Sequence, residues 1–299
     1  MARLGLQSAM EYLMTYGWAI LIIAVVLGAL FGLGFFNSAT LAPKVAAGSC
    51  QVYRPNGPGT TSYINLQGVC NNELPQYAAQ FNGATSFINI SNPASFNLAS
   101  SYTVTGWFEV TSWASANSQN IFTKDLPAGW NAGPGGKQMY LWPSGSSLRY
   151  DAYASCCGSV GTSSATFRQN TWYQFAFAST SGNYLTIYVN GAVANPSASE
   201  GGPEVDNPAS AIYIGISSPG VDPFWGDMAD IQFYNTTLSA NEISSLYDEG
   251  IGGSPVLINN LVGWWPLNGN ADDYSGNLNN GVSSNIVFTS SWTSGYSAP

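Results

Sequence analysis

From Trp18 to Phe36 the chain runs almost without interruption through apolar residues, and no later stretch is hydrophobic at that length. About 20 such residues are enough to cross a hydrocarbon core as a helix. The sequence therefore predicts a long N-terminal hydrophobic α-helix over residues 6–36. One carboxylate, Glu11, stands just ahead of the run. A lone carboxylate in an apolar bundle is costly or stays protonated, so Glu11 needs a partner. Gly17, Gly28, Gly32 and Gly34 allow close helix packing or local bending. A secretory signal has a shorter apolar core followed by a small-residue cleavage site. Here Phe35-Phe36-Asn37 follows the core, and the candidate cleavage point, a short Arg3-containing leader ending at Gly5, precedes it.

That order, Gly5 and then Gln7-Ser8-Ala9-Met10-Glu11-Tyr12-Leu13, resembles the class III signal and mature N-terminus of archaeal type IV pilins. The resemblance covers residues 1–36. It implies that a pre-pilin peptidase removes residues 1–5, with Gly5, Leu6 and Gln7 at the processing site. It also implies that the helix first anchors the protein in the cytoplasmic membrane and then, with the pilus assembly machinery, forms the core of a helical homopolymer. Glu11 would meet the new N-terminal amine of a neighbouring subunit. The register departs from the simplest pattern, because cutting after Gly5 puts Glu11 at the sixth mature position and cutting after Leu6 puts it at the fifth. The rival reading is an uncleaved signal anchor with Glu11 at the lipid–water interface.

About 260 residues remain, enough for one large β domain or two small ones. They are polar but scarcely charged: 8% of the chain is charged, there is no His, and Lys plus Arg number seven. The net charge of −9 argues against nucleic acid, which requires basic patches to meet phosphates. Four cysteines suit an oxidising location. Cys50 and Cys70 bracket a Pro/Gly-rich loop and are paired on that ground, a staple worth on the order of 3 kcal/mol. Cys156 and Cys157 are adjacent and form a vicinal disulfide, stay free, or pair elsewhere. Asn89 and Asn235 begin Asn-x-Ser/Thr glycosylation sequons.

Residues 37–77 read as a neck carrying the stapled loop and a strand at 62–69. From Ala78 onward, short apolar–aromatic runs broken by Gly, Ser, Thr and Asn predict an all-β sandwich. Strand signals fall at 80–83, 86–90, 102–108, 138–142, 148–153, 172–179, 184–189, 211–216 and 228–234. Asn190-Gly191 is a type I′ hairpin signal. A helix is predicted over 239–249, with Ser239 as N-cap and Glu242 closing a capping box.

The phrases Phe81-Asn82-Gly83, Ile88-Asn89-Ile90 and Thr103-Val104-Thr105-Gly106-Trp107, followed by Asp230-Ile231-Gln232-Phe233-Tyr234-Asn235 through Leu238-Ser239, resemble a LamG domain of the concanavalin A-like class. The resemblance spans about 78–250 and implies a two-sheet antiparallel jelly roll. Val262-Gly263-Trp264-Trp265-Pro266-Leu267-Asn268-Gly269 resembles the phrase that opens such a domain, yet here it comes last. Residues 251–299 are therefore expected to complete the sandwich as a circular permutation; donation to a neighbouring subunit and a repeat remnant are the alternatives.

The loop holding Asp272, Asp273 and Asn277 offers the hard oxygens that Ca²⁺ prefers. LamG-like domains often hold Ca²⁺ near such loops, so the resemblance implies a site that Asp227 or Asp230 would complete. The alternative is an Asx-rich turn satisfying its own backbone. Trp130 with Asn131, Trp142, Tyr153, and Trp225 with Asp227 are candidate glycan contacts; the competing role is packing of the sandwich. The same fold class includes glucanases, but no strand carries the alternating pair of carboxylates a retaining glycosidase needs, and Glu109 stands alone on its strand. With no His, a Ser-His-Asp triad is excluded. The sequence thus predicts a non-enzymatic subunit of an extracellular type IV pilus-like filament, with no required cofactor. Its lectin-like head is exposed for adhesion or glycan contact. The alternative is a membrane-anchored surface lectin that does not polymerise.

Overall fold

The computed structural model describes residues 19–28, 50–55, 61–66, 75–91, 96, 101–113, 118–124, 136–142, 147–153, 159–180, 184–199, 210–294, 296–297 and 299. The chain divides into two units, Met1–Lys44 and Val45–Pro299. In the first, the described residues form one helix, α1, over 19–28. The long helix expected over 6–36 is thereby corrected. Ten residues at 1.5 Å each span roughly 15 Å, about half of a hydrocarbon core, and among the described residues no helix is long and apolar enough to cross a membrane. Apolarity measures preference for oil over water and does not fix helix length. Each glycine in the run disfavours helix by roughly 1 kcal/mol relative to Ala, and the last described residue of α1 is Gly28. The α1 side chains from Ile20 to Leu27 are exposed, so the packed face that normally stabilises a protein helix is missing.

The second unit is mainly β and antiparallel. A separate hairpin joins β1 (Cys50–Pro55) to β2 (Thr61–Leu66). One sheet has eight strands: β3 (Ala78–Asn82), β5 (Tyr102–Val110), β10 (Trp172–Thr180), β11 (Tyr184–Val189), β12 (Ala192–Ser199), β14 (Trp225–Tyr234), β15 (Leu261–Trp265) and β17 (Val287–Thr289). Their order is β12-β11-β10-β5-β14-β3-β17, with β15 also on β14. The other sheet has seven: β4 (Phe87–Ile90), β6 (Gln119–Lys124), β7 (Gly136–Leu141), β8 (Leu148–Tyr153), β9 (Ser159–Thr162), β13 (Ile212–Ile214) and β16 (Gly281–Ser284). They run β16-β4-β13-β6-β7-β8-β9.

Alternation along the strands explains the layers. Tyr102, Val104, Phe108 and Val110 of β5 enter the core between the sheets, where they meet Ile88, Ile90, Phe122, Met139, Leu141, Ile212 and Ile214 of the seven-stranded sheet. The opposite face of the eight-stranded sheet is covered too. Helix α2 (Ala240–Glu249) lays Ile243 and Leu246 over Ala176, Ala178 and Tyr234, and Trp292 packs with Trp107, Trp172 and Ala229. Capping starts α2 as the sequence predicts: Ser239 Oγ accepts from the Glu242 amide at 3.3 Å, and the Ser239 amide donates to Glu242 Oε2 at 2.6 Å. The Asn190-Gly191 turn has φ of 50° and 73°, the left-handed pair that a type I′ turn requires.

Residues 261–289 return to strands laid down far earlier in the chain. β15 pairs with the distal half of β14, β16 with β4, and β17 with β3. β3 and β15 share one edge of β14, on either side of a bulge at Ala229–Gln232 where Asp230 takes φ 54°. Trp265 of β15 is fully buried between the sheets, stacks on Phe96 at 5.8 Å, and donates its indole N–H to the Asn279 carbonyl at 3.0 Å. Trp265→Ala should cost about 3–5 kcal/mol, read as a lower urea midpoint with unchanged slope.

Candidate functional site

Among the described residues no helix packs over the outward face of the seven-stranded sheet as α2 does on the eight-stranded sheet. Cross-strand register lines up Val282 (β16), Asn89 (β4), Tyr213 (β13), Thr123 (β6), Gln138 (β7) and Asp151 (β8) in one row. A second row beside it holds Asn120, Tyr140 and Arg149. The β6 bulge between Asn120 and Phe122 creates this arrangement. It turns Ile121 and Phe122 together into the core, leaving Asn120 and Thr123 outward with Thr123 Oγ1 donating to Asn120 Oδ1 at 3.1 Å.

The row is polar yet poorly reached by water. Asn120 is 0% exposed and Asp151 7%. Asp151 Oδ2 accepts from Tyr140 O–H at 2.7 Å and Gln138 Nε2 at 3.3 Å. Arg149 lies 3.8 Å from Asp151 Oδ1 and spreads its guanidinium over Trp142 at 4.3 Å and Tyr140 at 5.8 Å. The buried atoms without a hydrogen-bond partner among the described residues include Asn89 Oδ1, Asn120 Nδ2, Arg149 Nε and Asp151 Oδ1 on this face. Buried polar atoms are nearly always satisfied, and these exceptions fall in two adjacent rows of the sheet. Aromatic rings frame them. Phe87 and Tyr213 meet at 5.9 Å, Tyr140 and Trp142 at 6.2 Å, and Trp142 is 41% exposed.

The glycan contacts expected from sequence do not converge. Trp142 belongs to this face, whereas Trp225 starts β14 in the other sheet, its indole resting against Gly83. Tyr153 ends β8, its side chain outside the described residues, as are Trp130 and Asn131 altogether. Also outside them lie Gly5, Leu6, Gln7, Glu11, Cys70, Cys156 and Cys157, and the side chain of Cys50. Of the sequon residues, Asn235 is exposed at a turn and accepts from Asn260 Nδ2, while Asn89 sits in mid-sheet between β13 and β16.

The carboxylates considered for Ca²⁺ each face protein donors. Asp273 accepts from the Trp264, Ser275 and Asn279 amides and from Ser275 Oγ. Asp230 accepts from Gln232 Nε2 on both oxygens and from the Trp264 indole. Asn277 Nδ2 donates to the Leu261 and Val262 carbonyls, and Asp272 is exposed. Among the described residues no three His, Cys, Asp or Glu side chains group so as to hold a metal ion, and this donor-rich loop fits a backbone cap better than a cation.

Residues 82–244, more than half of the chain, match the family described as the concanavalin A-like lectin/glucanases superfamily. The chain belongs to this family. No curated protein sequence matches it. Among solved structures, a Bacteroides ovatus protein described as a candidate carbohydrate-binding protein superposes with TM-score 0.56 at 17% identity, over 78% of this chain and 64% of that one. The chain thus spans about two thirds of that protein's length, just short of it. A heptameric SAP-like pentraxin from Limulus polyphemus gives 0.45 at 14% identity over 60% and 85%. The CBM40 module of a Ruminococcus gnavus IT-sialidase, bound to α2,3-sialyllactose, gives 0.48 at 13% over 58% and 98%. These likenesses are of fold.

In a superfamily that includes glucanases, carboxylate pairs need locating, and the structure holds one that no single strand reveals. Glu109 on β5 lies directly opposite Asp227 on β14, on the covered face of the eight-stranded sheet. Both are almost fully buried, at 3% and 4% exposure, and Asp227 Oδ1 has no hydrogen-bond partner among the described residues. Burial, with the charge of Asp227 behind it, raises Glu109 from 4.5 to about 7. Burial raises Asp227 from 3.8 to about 6 against a hydrogen bond from Gln80. Such a pair closed off from solvent keeps protons; it does not present them to a polymer. Sequence reasoning missed it because cross-strand register is set by the whole sheet.

The folded state therefore retains protons that the unfolded chain has already released. The stability this pair contributes is fully present below about pH 4 and is lost as pH rises through 6 and 7. Thermal melts should give a higher Tm at pH 5 than at pH 8, and Glu109→Gln should flatten that decline.

Proposed function

We propose that the Val45–Pro299 unit is a carbohydrate-binding, lectin-like domain whose site is the outward face of the seven-stranded sheet. The observation that carries this reading is the set of buried polar atoms without a hydrogen bond, Asn89 Oδ1, Asn120 Nδ2 and Asp151 Oδ1, in two adjacent cross-strand rows framed by Tyr213, Tyr140 and Trp142. Sugars present apolar faces edged with hydroxyls, and sites for small polar ligands combine aromatic lining with a few placed polar groups. Membership of the lectin/glucanase superfamily and the fold shared with the Bacteroides ovatus protein support the same conclusion. Full-length protein on a glycan array should bind a subset of saccharides. Asn120→Ala and Tyr213→Ala should each weaken that binding at least tenfold, about 1.4 kcal/mol, while their melting curves stay cooperative. Unchanged binding by both variants would place the site elsewhere.

The phrase Gly5-Leu6-Gln7 through Glu11-Tyr12-Leu13 supports a finer reading of where this head works. In it, a pre-pilin peptidase cuts after Gly5 and an assembly machinery carries the subunit into an extracellular pilus-like filament of identical copies, with the head exposed for adhesion. The alternative is a surface lectin that does not polymerise. Mass spectrometry of N-terminal peptides from material sheared off cells decides between them. A start at Leu6 or Gln7 in that fraction supports the filament subunit; an intact Met1 or Ala2 that stays with the membrane removes it.

A further inference from the structure

The fold separates two glycosylation sequons that the sequence leaves equal. Asn89-Ile90-Ser91 begins in β4, where Asn89 stands between Tyr213 of β13 and Val282 of β16. Neighbouring strands lie about 4.8 Å apart, so a saccharide on Asn89 Nδ2 would have to rise between those two side chains. The other end of the same amide, Asn89 Oδ1, is already closed off from solvent. An N-linked glycan is bulky and belongs on an accessible surface, which this position is not.

Asn235-Thr236-Thr237 lies in the turn between β14 and α2, outside the strand ladders. Asn235 is exposed. Its backbone N–H donates to the Asn260 carbonyl at 3.0 Å, and its Oδ1 accepts from Asn260 Nδ2 at 3.1 Å. These two contacts hold the carbonyl side of the Asn235 amide against the 258–260 turn. Its Nδ2 has no hydrogen-bond partner among the described residues. An amide keeps its carbonyl oxygen when the nitrogen is substituted, so the bond from Asn260 survives the modification.

We propose that Asn235 Nδ2 carries an N-linked oligosaccharide and that Asn89 does not. This rests on export, which the filament and surface-lectin readings share. In the transfer step Nδ2 bonds to the anomeric carbon of a lipid-linked oligosaccharide. The bond from that carbon to the lipid phosphate breaks, its electron pair leaves on the phosphate oxygen, and Nδ2 gives up one proton. Nothing is oxidised or reduced. Thr237, which completes the sequon, donates its hydroxyl to the Ser179 carbonyl. Removing that hydroxyl would disturb the fold along with the motif, so Asn235→Gln is the cleaner variant.

The test takes full-length protein from the cells that make it and digests it with a glutamyl endopeptidase. Cleavage releases 74–109 with Asn89 and 205–242 with Asn235. Mass spectrometry with electron-transfer fragmentation should find 205–242 heavier by an oligosaccharide localised to Asn235, and 74–109 at its unmodified mass. Asn235→Gln should abolish the increment, whereas Thr237→Ser, which keeps the hydroxyl and the sequon, should retain it. An unmodified 205–242 in material sheared off cells would overturn this inference while leaving export standing. Sugar on Thr236 or Thr237 in place of Asn235, or a glycan on Asn89, would overturn it too. Protein found without sugar and only inside the cell would overturn both this inference and export. The masses read on the unaltered protein decide the matter even where a variant fails to fold.

Discussion

Closure of both sheets by residues 261–289 is the constraint on which the rest of this sandwich depends. An antiparallel sheet ending in an unpaired strand presents a row of open N–H and C=O groups. Without β15 and β17, the distal edge of β14 and the outer edge of β3 would be such rows; without β16, so would β4. The same segment delivers Trp265 to the core and Trp264 to the opposite face, where its indole meets Asp230 and its amide meets Asp273. One short strand therefore joins three layers. The Asp273 loop follows from it, since caps on Trp264, Ser275 and Asn279 are what hold the strand's end in register.

Covering one face and leaving the other polar divides labour between the sheets. On the eight-stranded sheet, α2 and Trp292 take the outward side out of water, so outward-pointing polar residues must satisfy one another. Gln174 Nε2 donates to Thr105 Oγ1, which donates to the Phe175 carbonyl, and Tyr234 O–H donates to Gln232 Oε1. Where that accounting fails, at Glu109 and Asp227, the carboxyls hold on to protons instead. On the seven-stranded sheet the atoms without a hydrogen bond lie in two adjacent rows of a face whose margin carries the exposed Trp142.

Much of the sandwich was legible. The strand signal at 102–108 is met by β5, whose Tyr102 and Val104 enter the core between the sheets while Trp107 packs on the opposite face. The Asn190-Gly191 hairpin and the Ser239 cap form where local chemistry placed them. What failed was inference from composition and from proximity in sequence. The apolar run of 18–36 suggested a long helix, and 19–28 is what is described. Trp225 and Asp227 looked like one aromatic–carboxylate site because they are two residues apart. Strand geometry does put both side chains on one face, but Asp227 is drawn under the cover of the sheet, whereas Trp225 stays 38% exposed at its rim. The row from Asn89 to Asp151 could not be read at all, because its members come from five strands, and a bulge decides that Asn120 in the adjacent row faces the same way.

Five carboxyl groups, Glu109, Asp222, Asp227, Asp230 and Glu249, are raised above their ordinary range, each chiefly by burial. Among the described residues none is lowered. A chain with 16 acidic groups and seven basic ones has few cations with which to pair buried carboxylates, so burial without pairing follows from composition. Each such group makes folding take up protons, and the summed effect moves the best stability toward acid, away from the neutral range where paired carboxylates normally place it. The same scarcity of cations shapes the outward face of the seven-stranded sheet. It leaves Arg149, beside Asp151 and over the Tyr140 and Trp142 rings, as the one guanidinium on the outward face of the seven-stranded sheet among the described residues, so most polar groups there are amides and hydroxyls.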